Sequence, residues 1–246
     1  MFFWISAASE RPLSSVPGVI FASLACALAA QIALQATRAP PHARAEDLTP
    51  PPRHVILRGA SLGEPIGLAQ MLTLYLQAFD NQPGVSIPFK DLDYERVTQW
   101  LAAILQLDPV GQYPLLMASQ LYAQVPLPEK QRQMAQFVYE QFPFDPNRRW
   151  RWLAHMAIMV KHRLNDLPTA LKYAEAITLQ ATAAPNWARQ MRIFLLEDMG
   201  EVESAKILLG GLLASGTITE PHEIAFLTQR LEAMQSAGKS SKTTKK

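Results

Sequence analysis

Cysteine is almost absent from these 246 residues: Cys26 is alone, so no intrachain disulfide can form, and its place in an apolar stretch suits a small filler. The chain also lacks a glycine-rich phosphate loop, a Gly-x-Ser-x-Gly elbow, a His-Glu-x-x-His pair and a Cys-x-x-Cys pair. No enzyme activity, cofactor or metal is therefore expected. Charged residues make up 18% of the chain and the net charge is +2. Apportioning that charge removes a further class. The last eight residues carry four Lys and no acid, whereas residues 53–238 hold 16 basic and 18 acidic side chains. A nucleic-acid binder needs a basic face on the fold itself, so no nucleic-acid partner is expected. Runs dense in β-branched residues are few, while the apolar fraction of 49% is ample for a packed core. The composition points to an all-α chain.

One long hydrophobic run is present. Val16 to Ala36 carries no charge, and as a helix it would cover roughly 30 Å, the thickness of a bilayer's hydrocarbon core. We expect residues 1–13 to be a short leader and 14–37 a transmembrane anchor. A signal peptide removed after Ala43-Arg44-Ala45 and a lipoprotein signal ending at Cys26 are the alternatives. Arg11 precedes the run and Arg38 and Arg44 follow it, so the positive-inside rule leaves the side open. A short leader usually stays cytoplasmic, which places the following domain on the periplasmic side of a single-pass protein. Secretion after cleavage and a cytoplasmic domain are the other two outcomes.

Pro40-Pro41 and Pro50-Pro51-Pro52 punctuate a polar stretch, and residues 38–60 are expected to form a semi-rigid spacer. Helical periodicity then takes over. Leu68, Met71, Leu72, Tyr75, Leu76 and Phe79 recur at spacings of three and four, and Val97, Leu101, Ile104 and Leu105 form a second stripe. Further pairs are expected at 112–125 with 128–142, 147–164 with 167–182 and 186–199 with 202–215, followed by a closing helix from 221 to 235. Residues 237–246 are expected to be a basic, disordered tail.

Trp152, Met156, Ile158 and Ala170 recur 35 residues later as Trp187, Met191, Ile193 and Ala205, and the turn Asn165-Asp166 recurs as Gly200-Glu201. A fixed period near 34 residues, built as helix, polar turn, helix, is the signature of a helical repeat. Asp93-Tyr94-Glu95-Arg96-Val97, followed by Ile104-Leu105-Gln106-Leu107-Asp108-Pro109, resembles the second helix and closing proline of the tetratricopeptide repeat family. Ile158 and Ile193 depart from that pattern, as do Val97, Thr182 and Thr217. The resemblance implies a degenerate, right-handed helical-hairpin solenoid over 61–236, with about four helix pairs plus a closing helix.

If that geometry holds, first helices line a partner groove, and Trp152, His155, Met159, His162, Trp187, Gln190, Phe194 and Glu197 are its candidate residues. Arg148, Arg149, Trp150 and Arg151 form a candidate docking patch, since guanidinium groups alternate with indole. The alternative is that the two echoed Trp hold neighbouring repeats together. His155 and His162 share a helix face but stand about 10 Å apart along the axis, too far for joint ligation even with His222. Glu197, Asp198, Glu201 and Glu203 read as a solvated turn.

The expected function is a membrane-anchored protein–protein interaction scaffold in a bacterial-type cell-envelope complex. Its partner would be a membrane-associated protein or peptide, and residues 14–37 would contact the membrane. Two alternatives stay open. One is an enzyme or accessory domain acting on envelope glycans or peptides. The other is a permanent structural subunit in which Tyr113 and Tyr122 pack on another chain.

Overall fold

The charge-free run is a single helix, α1 (Gly18–Thr37), whose 20 residues are long and apolar enough to cross a bilayer. A signal sequence has the same length and composition. The computed structural model describes residues 16–37 and 45–243. The expected leader, the stretch from 38 to 44 and the last three lysine-rich positions lie outside the described residues. The chain divides into two units at Arg44, and the second begins at Ala45.

That boundary corrects the expected spacer. Leu48 is buried, the Trp100 indole N–H donates to the Thr49 carbonyl over 2.8 Å, and α2 (His54–Ala60) buries Leu57. Proline does set the backbone of residues 50–52, but the apolar residues on either side dock it onto the domain. The far end is corrected too: α11 (Pro221–Thr243) continues as helix into residues expected to be a disordered tail.

Between them lie α3 (Pro65–Ala78), α4 (Tyr94–Leu107) and α5 (Tyr113–Leu116), then α6 (Pro128–Gln141), α7 (Pro146–Arg163) and α8 (Leu167–Gln180). The series ends with α9 (Asn186–Asp198), α10 (Val202–Ala214) and α11. α5 runs on through a π turn at Met117–Leu121 and a 3-10 turn at Tyr122–Gln124, so the helix expected over 112–125 is present with a shifted internal register. A two-stranded antiparallel hairpin, β1 (Asn81–Gln82) with β2 (Val85–Ser86), interrupts the first pair around Gly84.

Short-range chemistry fixes the helix starts. Asp93, Asp145 and Asp166 each accept a hydrogen bond from a backbone N–H in the first turn that follows, and proline opens α3, α6, α7 and α11. Packing then follows chain order, with α7 on α8, α8 on α9 and α9 on α10 among the most extensive contacts. Ala170 and Ala205, the echoed alanines, are fully buried where paired helices meet, a position with no room for a longer side chain.

Alternate helices also touch, and they do so at a nearly constant offset. Gln112 meets Trp152, Gln124 meets Arg163, Lys161 meets Asp198, Asn186 meets Glu223 and Glu197 meets Arg230, at separations of 40, 39, 37, 37 and 33 residues. Because early residues contact early ones and late contact late, α5, α7, α9 and α11 run parallel. Tyr139 of α6 stacks on Tyr173 of α8, ring centroids 4.9 Å apart. The apolar interior is split. A large cluster spans Leu48 to Leu195, and a smaller one joins Ile193, Ala205, Leu209, Ile218, Leu227 and Met234.

Candidate functional site

The expected groove residues lie along the contacts between alternate helices. Trp152 is half-buried and donates its indole N–H to Gln112 Oε1 over 2.8 Å. Trp187 is 54% exposed and meets Trp150 edge-on at 5.6 Å. Phe194 meets Phe226, Gln190 Nε2 donates to Glu223 Oε1, and Glu197 pairs with Arg230 at 2.7 Å. Two of the eight are corrections: Met159 and Gln190 are buried, each 5% exposed, because these positions face the neighbouring helix. His162 is exposed. His155 is half-buried, and its pKa is lowered by desolvation and by the nearby Arg163 charge, against a raising hydrogen bond with the Ser119 backbone. Ile158 and Ile193, matched in sequence, part company here, the first 46% exposed and the second 3%.

The docking patch loses its second member. Arg149 is 2% exposed and donates from Nη2 to the Pro109 carbonyl over 2.9 Å and from Nη1 to the Gln141 carbonyl. Those carbonyls close the carboxyl-terminal ends of α4 and α6, where the helix dipoles are negative, so a cation sits there without a carboxylate against it. Its pKa is lowered by burial and raised by Asp145. Arg148 pairs with Asp145 at 3.1 Å. Arg151 lies over the Trp150 ring at 5.4 Å. Tyr122 also leaves the surface stripe expected with Tyr113: it is fully buried against Tyr94 and Phe89.

A cleft of about 450 Å³ that sequence reading missed opens between α3, the end of α4 and the start of α5. Leu74 and Ile104 give it an apolar wall, and Thr73, Gln77, Asp108 and Tyr113 bring polar groups to its edge. Gln77 Nε2 donates to Tyr113 Oη over 2.7 Å, bridging α3 to α5. Asp108 Oδ1 accepts from the Gly111 N–H at 3.0 Å, and a Cβ at Gly111 would stand 2.6 Å from Oδ2, so a side chain there would push the carboxylate aside. The sequence carries one mark of it that was not read, an absence of charge: Pro65 through Phe79 has no ionisable side chain except Tyr75. Leu74, Met71 and Ile66 on that helix are exposed.

An apolar wall with one carboxylate and a few amide and hydroxyl groups suits an apolar side chain next to a donor such as a lysine or a peptide N–H. Among the described residues no group of three or more His, Cys, Asp or Glu is placed to hold a metal ion. No protein-family model matches the chain, and no curated protein and no solved structure is significantly similar to it.

Proposed function

We propose that this chain is a tetratricopeptide-like α-solenoid, held at a membrane by α1, that works as a protein–protein interaction scaffold in a cell-envelope complex. The α3–α5 cleft carries the reading, because it joins an uncharged, half-exposed helix to a presented carboxylate at the amino-terminal end of the helical stack. The parallel offsets of 33 to 40 residues support a solenoid, in which each repeat contacts its neighbours and leaves one continuous surface. Its partner is a membrane-associated protein that offers a helix or extended peptide. Confinement by α1 raises the local concentration of the cleft near such a partner.

The test places a photo-crosslinking amino acid at Leu74 in the full-length chain in membranes, with Leu179, exposed on α8, as the comparison site. A partner captured at Leu74, absent at Leu179 and lost on Asp108→Lys supports the cleft. The same proteins captured at both sites would sink it.

A further inference from the structure

We infer that the α2–α3 turn is a membrane-surface contact, in which Leu62 and its apolar neighbours enter the lipid interface. Leu62 is 93% exposed and adopts a left-handed backbone, with φ of 49°, followed by Gly63 at 93°. Leucine has no polar group with which to offset that conformation, so both its exposure and its backbone are unfavourable in water. The turn is nonetheless tightly made. Ser61 N–H donates to the Leu57 carbonyl at 3.0 Å, Ser61 Oγ to the Arg58 carbonyl at 2.7 Å and Glu64 N–H to the Ser61 carbonyl at 2.8 Å. Leucine is therefore held outward by a fixed turn, which is how a site is presented to a partner rather than how a slack loop behaves.

Its surroundings specify lipid. Val55 is 81% exposed, two residues from buried Leu57 and so on the opposite side of α2, and Ile56 and Ile66 are more than half exposed. From Arg53 through Ile66 the chain carries Arg53, His54 and Arg58 against a single acid, Glu64, and all four are exposed. Apolar side chains among arginines are the composition of segments that lie in the headgroup region, where anionic lipid attracts the cations. The position along the chain agrees. Residues 38–44, the seven between Thr37 and Ala45, reach about 25 Å at full extension, so Ala45, where the second unit begins, is held within that reach of the end of α1.

This inference rests on the reading of α1 as a membrane anchor, and its test separates the two. The full-length chain carrying Cys26→Ser and Leu62→Cys is labelled with a polarity-sensitive fluorophore and reconstituted into phosphatidylcholine vesicles with and without phosphatidylglycerol. Glu175→Cys, exposed on α8, gives the comparison label, and Val55→Cys repeats the measurement at a second position. The expected result is flotation with the vesicles, blue-shifted emission at 62 and 55, and quenching by interfacial doxyl lipid several-fold stronger than at 175, strongest with phosphatidylglycerol. Flotation with labels at 62 and 55 as wet as at 175 overturns the surface contact and leaves the anchor standing. Shielded emission without doxyl quenching means that protein, such as a second copy, covers the turn, and overturns it as well. Failure to float overturns anchor and contact together.

Discussion

Asn165 and Gly200, 35 residues apart in matched turns, both take a left-handed backbone, with φ of 52° and 80°. Each stands at the point where one helix of a pair ends and the next begins, ahead of the buried Ala170 and Ala205. Only glycine, or asparagine with its short polar side chain, adopts this conformation at little cost. No atom lies within 4 Å of a Cβ built on Gly200, so the backbone alone sets the penalty there. Gly200→Ala is expected to lose about 1 kcal/mol, and Gly200→Asn much less. Chemical denaturation of the three proteins decides; an alanine variant as stable as the parent would show that the turn relaxes.

Arg149 joins the ends of α4 and α6 through two carbonyls. Replacing it with methionine keeps the volume and leaves both carbonyls unpaired, at a cost of about 2–3 kcal/mol. For a domain of this size the melting temperature should fall by roughly 5–10 °C. Lysine, with one ammonium in place of a planar fork, should not recover the loss. The check is differential scanning calorimetry on all three.

His155 makes stability depend on pH with a definite sign. Its pKa is lowered in the folded state, so as pH falls the unfolded chain takes up a proton first, and stability is lost as pH drops through the unfolded value near 6.5. The urea midpoint should therefore fall between pH 7.5 and 5.5, and His155→Gln should flatten that fall. An unchanged slope in the glutamine variant would assign the effect elsewhere.

The split interior predicts graded unfolding. Leu209 belongs to the smaller cluster and is fully buried, so Leu209→Ala should cost about 2–5 kcal/mol there. Hydrogen exchange should speed up across α10 and α11 while α4, α7 and α8 keep their protection, as in a stack with nearest-neighbour coupling. Acceleration of all helices together would mean one cooperative unit.

Backbone requirements were the legible part of the sequence. Asn165, Gly200, Ala170 and Ala205 each answer a steric demand that only one or two residue types meet, so their spacing announced the hairpins. Helix positions followed from capping aspartates and first-turn prolines. Side-chain fate was harder to read. An arginine defaults to the surface, and Arg149 is inside only because two distant helix ends converge on it. Ile158 and Ile193 share a repeat position but not an environment, the first exposed and the second packed in the smaller cluster with Leu209 and Leu227. The seven residues of α2 are too few to show a period, and the α3–α5 cleft depends on how far two helices splay, which no local pattern encodes.

Gln82 closes a small clamp, accepting from Glu46 N–H at 2.7 Å and donating to the Glu46 carbonyl at 2.9 Å, while Trp100 holds the Thr49 carbonyl nearby. These bonds lie ahead of α2 along the chain, so tension on the amino-terminal side loads the β-hairpin and α4 before it reaches α2. The domain is thereby gripped a few residues after Ala45, and a pull applied ahead of it is delivered to the β-hairpin and α4 instead of peeling away α2.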